Sequence, residues 1–433
     1  MEWNHTCRNG IRVYADLNEH LHGFCIGLYI LAGSMYETEQ DHGITHLFEH
    51  CVFRNLKKRY DRDFYELLTR HGLSFNATTY KEFLCFEISG LPAGLPFAAE
   101  LMERMFLPFD LSLEEYQTEK QRIKAEIREE SEKTTLSYLL NQKSWEGTTL
   151  AKTIAGTCGG VERISRKRLA AFREELLTAE NMMVYLTGKV PRESMEQVIS
   201  AVEQMSVRPG LIRDNTAPVP VLFGRRPRVI HMKNDSYHYL SMAFDMENAR
   251  FPAGIRDLLY SVLFEGEDAL FYQQLSEQTA LVYGVDSTLE QYRNISRLSF
   301  RFEIARRDIQ TALRELGRLF GMLRRGAFSF ENCLQKQLTR WELMRDDPCS
   351  LNWSMAYENH ILGAEPVDPD RERFGRYVGI TKADLMAAAG EIFRPENLTF
   401  AVKGDVRQLR EEELLGCIAW MDSEKTEKYE NSC

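Results

Sequence analysis

Two stretches of this chain repeat one another. ISRKRLAAFREELLTAENMMVYLTGKV (164–190) lies on ITKADLMAAAGEIFRPENLTFAVKGDV (380–406) at an offset of 216, with identities at Ile164/Ile380, Leu169/Leu385, Glu180/Glu396, Asn181/Asn397 and Gly188/Gly404. The same offset sets RVY (12–14) on RVI (228–230), THLFEH (45–50) on SVLFEG (261–266), and EKQRIKAE (119–126) on QKQLTRWE (335–342). One short match is chance, but four at one offset and in one order are two homologous halves. The expected organisation is an N-terminal domain over 1–212, a linker over 213–228 and a homologous C-terminal domain over 229–433. The linker sequence RDNTAPVPVLFGRRPR is rich in turn-forming Pro, Asn and Gly.

Within each half, strand and helix patterns mix without a regular βαβ alternation. FCIGLYILAG (24–33) and MMVYLTGKV (182–190) are strand-like, and SFNATTYKEFLCFEISGL (74–91) reads as a strand pair. SLEEYQTEKQRIKAEIREESEK (112–133) predicts a helix opened by a capping box, Ser112 to Glu115. The class implied is α+β: an antiparallel-rich sheet with helices packed on one face, occurring twice.

Composition narrows the function. A formal charge of -10 argues against nucleic acid or an anionic membrane as partner. Nine cysteines, scattered and never spaced C-x-x-C, suggest neither a disulfide framework nor a thiolate zinc site, and fit a reducing compartment. The first twenty residues contain no apolar stretch behind a basic one, and nowhere do eighteen apolar residues run together. A cytoplasmic protein is expected.

Chemistry concentrates in GITHLFEHCVFRN (43–55), which predicts a helix over about 44–55 with Asp41 as its cap. His46 and His50, four apart, project from one helix face within reach of one metal ion. Two imidazoles and a carboxylate from elsewhere make the three-ligand set of a catalytic zinc, whose fourth position is left to water. Glu49 stands beside them as the base for that water, in the order H-x-x-E-H. A solvated polar face is the bland alternative, but Leu47, Phe48, Cys51, Val52 and Phe53 make most of this helix want burial.

The helix from 112 offers Glu115, Glu119, Glu126, Glu129 and Glu130 as the third ligand. Glu119 and Glu126, seven apart, share a face, and Glu126 stands between Ala125 and Ile127. Lys120, Arg122, Lys124 and Arg128 mark the other faces as solvated. The repeat is an internal control. His46 faces Val262 and His50 faces Gly266, while Glu49 and Glu126 face Glu265 and Glu342. The architecture recurs without the histidines, so the fold does not demand them.

With NGIRVYAD, LAGSMYETEQDHGITHLFEHCVFRN, GLSFNATTYKEFLCFEISGLP, EKQRIKAEIREE and AENMMVYLTGKV, the chain resembles the inverzincin zinc peptidases of the pitrilysin and mitochondrial processing peptidase family. The resemblance implies one zinc ion on His46, His50 and Glu126, Glu49 as general base, and Glu119 as an acid that orients ligands or water. It also implies that the strand with Phe75, Asn76, Ala77 and Thr78 takes up an extended peptide by strand addition.

In LFYQQLSEQTALVYGVDS (270–287) the family carries an Arg and, seven residues on, a Tyr that hold substrate; here Tyr283 is present and Ser276 replaces the Arg. That departure points to the metal-bearing subunit of a heterodimer whose homologous partner completes a clamshell chamber, rather than to a homodimer relying on Tyr283 or on Arg293. The expected function is zinc-dependent endopeptidase action on short or unfolded peptides, leader-peptide removal among them; the alternative is a non-catalytic or weakly active scaffold subunit.

Overall fold

In the computed structural model, which describes residues 2–60, 63–129, 135–218, 228–232, 238–358, 362, 375–405 and 409–418, two sheets share one strand order. The first contains β1 (Glu2–Thr6), β2 (Arg12–Leu17), β3 (Phe24–Ile30), β4 (Leu73–Thr79), β5 (Leu84–Gly90) and β6 (Met182–Gly188), ordered β1-β2-β6-β3-β5-β4. The second contains β7 (Arg228–Met232), β8 (His238–Glu247), β9 (Asp286–Gln291), β10 (Ile295–Ile304) and β11 (Leu398–Lys403), ordered β7-β11-β8-β10-β9.

Each sheet has one parallel pair, β2 with β6 and β7 with β11, and is otherwise antiparallel. Arg12 stands opposite Met183 in the first and Arg228 opposite Thr399 in the second. Both partners are displaced by the 216 residues of the sequence repeat, so the duplication extends to hydrogen-bond register. Of the expected linker, residues 219–227 lie outside the described residues, and residue 228 begins β7.

The helices of the first half are α1 (Ile44–Arg59), α2 (Phe64–Arg70), α3 (Leu95–Met105), α4 (Leu113–Glu129), α5 (Leu136–Ser144), α6 (Cys158–Arg163), α7 (Arg166–Leu176) and α8 (Arg192–Gln204). Those of the second half are α9 (Ala253–Phe264), α10 (Ile309–Arg324), α11 (Phe330–Met344), α12 (Pro348–Ala356), α13 (Lys382–Ile392) and α14 (Glu411–Ile418). The helix expected over 112–133 is α4; its capping box forms, with Glu115 N–H on Ser112 Oγ at 3.1 Å and Ser112 N–H on Glu115 Oε2 at 2.8 Å. Residues 130–134, Glu130 among them, lie outside the described residues.

Helices cover one face of the first sheet. Ile26, Leu28, Phe86 and Val184 meet Leu47, Phe48 and Val52 of α1, Leu101 of α3 and Ile123 of α4 in one core. Fully burying side chains of this size stabilises by about 1.5–3 kcal/mol each, which fixes α1 and α4 to the sheet and to each other. The opposite face carries Tyr14, Tyr29 and Tyr185, and part of it is covered by α12, which comes from the other half of the chain. Asn352 of α12 is fully buried there: its amide donates to the carbonyls of Cys25 (3.3 Å) and Tyr185 (2.8 Å) and its oxygen accepts from the Tyr29 hydroxyl (2.9 Å). Gly27 permits this approach, since a Cβ at that position would collide with the Asn352 side chain.

The second unit mirrors the arrangement by taking α5 from the first half. Leu136 and Leu140 of α5 pack on Ala243 and Ala401. Below them the buried Arg297 guanidinium binds Asp245 through two bonds of 2.7 and 3.0 Å, donates to Asn141 at 2.7 Å and stacks 3.6 Å from the centre of the Trp145 ring. Removing one partner strands the other charge in a buried site. Arg297→Ala is expected to destabilise this unit by about 3–5 kcal/mol, read as a lower urea midpoint, whereas the same truncation at exposed Arg192 leaves the midpoint in place.

Candidate active site

α1 starts at Gly43, whose φ of 97° turns the chain sharply into the helix. The cap is not Asp41, as the sequence suggested, but Glu37. Its buried carboxylate accepts the N–H groups of Gly43 at 2.7 Å and Thr45 at 2.9 Å, supplying the negative charge that a helix N-terminus favours. Asp41 instead grips Arg168 through three bonds of 2.9–3.0 Å. Burial pushes the Glu37 carboxyl up, and the two backbone donors pull it back.

On this helix His46 is 8% exposed and its ring meets that of His50 edge to face, centroids 4.7 Å apart. α4 crosses them with Glu126: His46 Nε2 is 3.7 Å from Oε1 and His50 Nε2 is 3.6 Å from Oε2. These separations exceed a hydrogen bond and approach the edge of a tetrahedron about a metal whose ligands lie at about 2.0–2.2 Å. Each of the three residues offers a donor atom, all within 4.8 Å of one another. His46 Nδ1 is buried without a hydrogen-bond partner, and burial together with His50 drops the ring's pKa to about 3. A neutral imidazole, which a metal requires, is therefore the resident form. The donor set fits zinc.

Glu126 was expected among small and apolar neighbours, yet its side chain is 45% exposed. It lies near the end of α4, beyond Ile123, the last fully buried position of that helix. The site thus has a buried wall, His46, and an open side, Glu126. Glu119, about two helical turns earlier, is 2% exposed and faces the other nitrogen of His50, Nδ1 to Oε2 at 3.6 Å. Arg122 donates to both of its oxygens at 3.1 and 3.2 Å and Arg54 flanks it at 3.8 Å. Its place is behind His50, on the ring nitrogen opposite the one that faces Glu126.

Glu49 is half-buried and desolvation raises its pKa, favouring a carboxylate that accepts a proton readily. Thr79, the last residue of β4, donates its hydroxyl to Glu49 Oε2 at 2.5 Å. This contact joins positions thirty residues apart at the end of a hairpin and has no local sequence signature. A hydrogen bond to a charged group contributes about 1.5–3 kcal/mol. Thr79→Val is therefore expected to push the Glu49 carboxyl further up, read by NMR titration of its side-chain carbon.

Among the described residues β4 pairs only with β5, and no described strand adds to its other edge. Phe75 and Ala77 turn inward, Phe75 against Phe53 with ring centroids 4.7 Å apart, while Asn76 and Thr78 are exposed. In the second half, Val262 begins the echo of the motif on the last turn of α9, and Gly266 lies beyond the helix with φ of 82°. Glu265, the echo of Glu49, is spent on packing: it accepts from Gln337 at 2.6 Å and Arg340 at 2.9 Å of α11. Tyr283 is fully exposed in that unit, and Ser276 sits in the π-helical turn Tyr272–Glu277 before it. The structure brings His46, Glu49, His50, Glu119 and Glu126 together in the first unit.

Two family models divide the chain between them. Residues 16–158 match the insulinase model of peptidase family M16, and residues 163–333 match the peptidase M16 inactive domain. The chain belongs to the M16 peptidase family. Among curated M16 relatives it is 25% identical over 196 residues to an uncharacterized zinc protease of Bacillus subtilis, YmxG, covering 45% of this chain and 48% of that protein. It is 27% identical over 199 residues to the mitochondrial-processing peptidase subunit beta of Dictyostelium discoideum, covering 45% and 42%. These matches span about half the length of the relatives. The fold is that of a protease from Helicobacter pylori, with a TM-score of 0.80 at 18% identity over 93% of this M16 chain and 99% of the other. No helix among the described residues is long and apolar enough to cross a membrane.

Proposed function

We propose that this M16 chain is a zinc-dependent endopeptidase that cleaves short or unfolded peptides, with His46, His50 and Glu126 holding one zinc ion. The observation that carries the reading is the convergence of two imidazoles and a carboxylate within 4.8 Å beside a base of raised pKa. When bound, zinc supplies a Lewis acid that polarises the scissile carbonyl and acidifies water. Glu49 takes the proton of the attacking water and delivers it to the leaving amine, held for both tasks by Thr79. Glu119 keeps the His50 ring in place through Nδ1.

Substrate lies along the free edge of β4 as an added strand, its backbone bonded to the Phe75–Thr78 segment, with specificity left to the side chains around it. Strand addition needs an extended, unfolded chain, which favours peptides such as leader segments. The C-terminal half, with Val262 and Gly266 in place of the two ligand histidines, contributes Tyr283 to substrate binding, while Ser276 stands where a guanidinium would bind. A second homologous chain that carries the missing Arg completes the chamber, in keeping with a relative named as the beta subunit of a processing peptidase. The eight described cysteines are free thiols, which supports a cytoplasmic setting.

The test is digestion of a quenched unfolded peptide by the purified chain, alone and mixed with a homologous chain bearing the Arg-Tyr pair. Cleavage only in the mixture is expected. Cleavage by the lone chain would favour a homodimer, and bound zinc without cleavage in either case would favour the scaffold reading. A protein that takes up no zinc at the histidines overturns the enzyme.

A further inference from the structure

Away from the histidines, three side chains from three elements converge on the opposite face of the first sheet. Strands alternate, so while Phe24, Ile26 and Leu28 enter the helix-side core, Cys25, Gly27 and Tyr29 point the other way. On β5, Glu87 shares that face with Cys85 and Ser89. In the β3–β5 register Ser89 is opposite Cys25 and Glu87 is opposite Gly27, which makes Glu87 the diagonal neighbour of Cys25 across a position without a side chain.

The third member is Cys349, in the first turn of α12. Pro348 opens that helix and Asp347 caps it, accepting the Cys349 N–H at 3.0 Å. α12 is seated by Asn352, as described above, and by Thr187, whose hydroxyl donates to the Pro348 carbonyl at 2.6 Å. The backbone that presents Cys349 is therefore placed by neighbouring contacts and not by its thiol.

Cys25 Sγ, Cys349 Sγ and a Glu87 carboxylate oxygen lie within 4.8 Å of one another. Cys25 is fully buried, while Cys349 and Glu87 are partly open and leave a way in. No cation among the described residues pairs with Glu87, which desolvation holds above the usual carboxylate range. A half-buried carboxylate whose close partners are two S–H donors is poorly compensated, and a divalent cation in place of the two thiol protons would compensate it.

We propose that Cys25, Glu87 and Cys349 form a second metal site, for a thiolate-preferring divalent cation such as zinc, with water as fourth ligand. Tetrahedral zinc ligands at about 2.3 Å for sulfur and about 2.0 Å for oxygen stand roughly 3.5–3.8 Å apart, a contraction within reach of three side chains whose donor atoms already lie within 4.8 Å of one another. Binding releases two protons, one from each thiol, and leaves two thiolates and one carboxylate on the ion. Soft sulfur donors distinguish this site from the imidazole and carboxylate donors on α1 and α4. The ion would fasten α12, from one half of the chain, to β3 and β5 of the other.

Cobalt(II) tests the site on the full-length protein, stripped by chelator under reducing conditions and titrated with the metal alone. An intense thiolate-to-cobalt charge-transfer band in the near ultraviolet is expected, present in His50→Ala and lost in Cys349→Ser. Glu87→Gln, which keeps both thiols, is expected to weaken cobalt binding at this site by about 10-fold or more. The native protein should lose one equivalent of zinc on Cys349→Ser. Absence of the band in the native sequence, its persistence in Cys349→Ser, or an unshifted titration in Glu87→Gln would overturn the site. So would mass spectrometry of the unreduced protein that finds a Cys25–Cys349 disulfide and no sulfur-bound metal.

Discussion

Glu49→Gln is expected to lower kcat on an unfolded peptide by about 10²–10⁴-fold while metal content stays that of the native protein. The substitution keeps the shape of the side chain and its hydrogen bond from Thr79, which a Gln oxygen accepts as well. It removes only the ability to take and return a proton. The half-buried setting sharpens the effect, because desolvation that raises the pKa of Glu49 also keeps bulk water from supplying a substitute base. KM is expected to change little, since substrate binding is assigned to the β4 edge and not to this carboxylate. A quenched-peptide assay with parallel metal analysis checks all three statements. An active variant, or one that has lost its metal, would require another base.

Some of this architecture could be read from the residues and some could not, for identifiable reasons. The duplication was legible because sheet register conserves spacing: Arg12 and Arg228 keep partners 216 residues apart, so a sequence offset became a structural one. The pair of histidines was legible because helical periodicity carries residues four apart to one face. Exchange of α5 and α12 between the units was not, since an amphipathic segment does not encode which of two similar sheets it will cover.

Capping failed at Asp41 because the local rule looks at the residues just before the helix. The actual partner, Glu37, reaches back across a turn made possible by Gly43, and Arg168, 127 positions away, claims Asp41. Thr79 was missed for the same reason. Its contact with Glu49 exists only once the β4–β5 hairpin has packed on α1. Tertiary contacts to charged groups leave no periodic trace in the sequence.

Removal of a histidine has the other large effect. His50→Ala is expected to lose the zinc of the α1–α4 site and to lower kcat/KM by at least about 10³-fold, because the several kcal/mol of transition-state stabilisation supplied by the metal disappear together. The second half of the chain indicates that folding will survive. There the position of His50 is Gly266, and α9 and α11 are joined without metal through Glu265, Gln337 and Arg340. In the first half the corresponding helices are also held by apolar contacts, Phe48, Val52 and Ile123 in one core, and Glu119 keeps Arg122 and Arg54 when His50 is gone. The thermal midpoint of the metal-free protein should therefore change by only a few degrees. In the presence of zinc the native protein should gain stability that the variant does not, because a ligand that binds only the folded state stabilises it by mass action. Calorimetry with and without zinc, alongside peptide cleavage, separates the two contributions. A variant that unfolds in the cold would mean that His50 is part of the core, and a variant that keeps both zinc and activity would mean that the metal is held elsewhere.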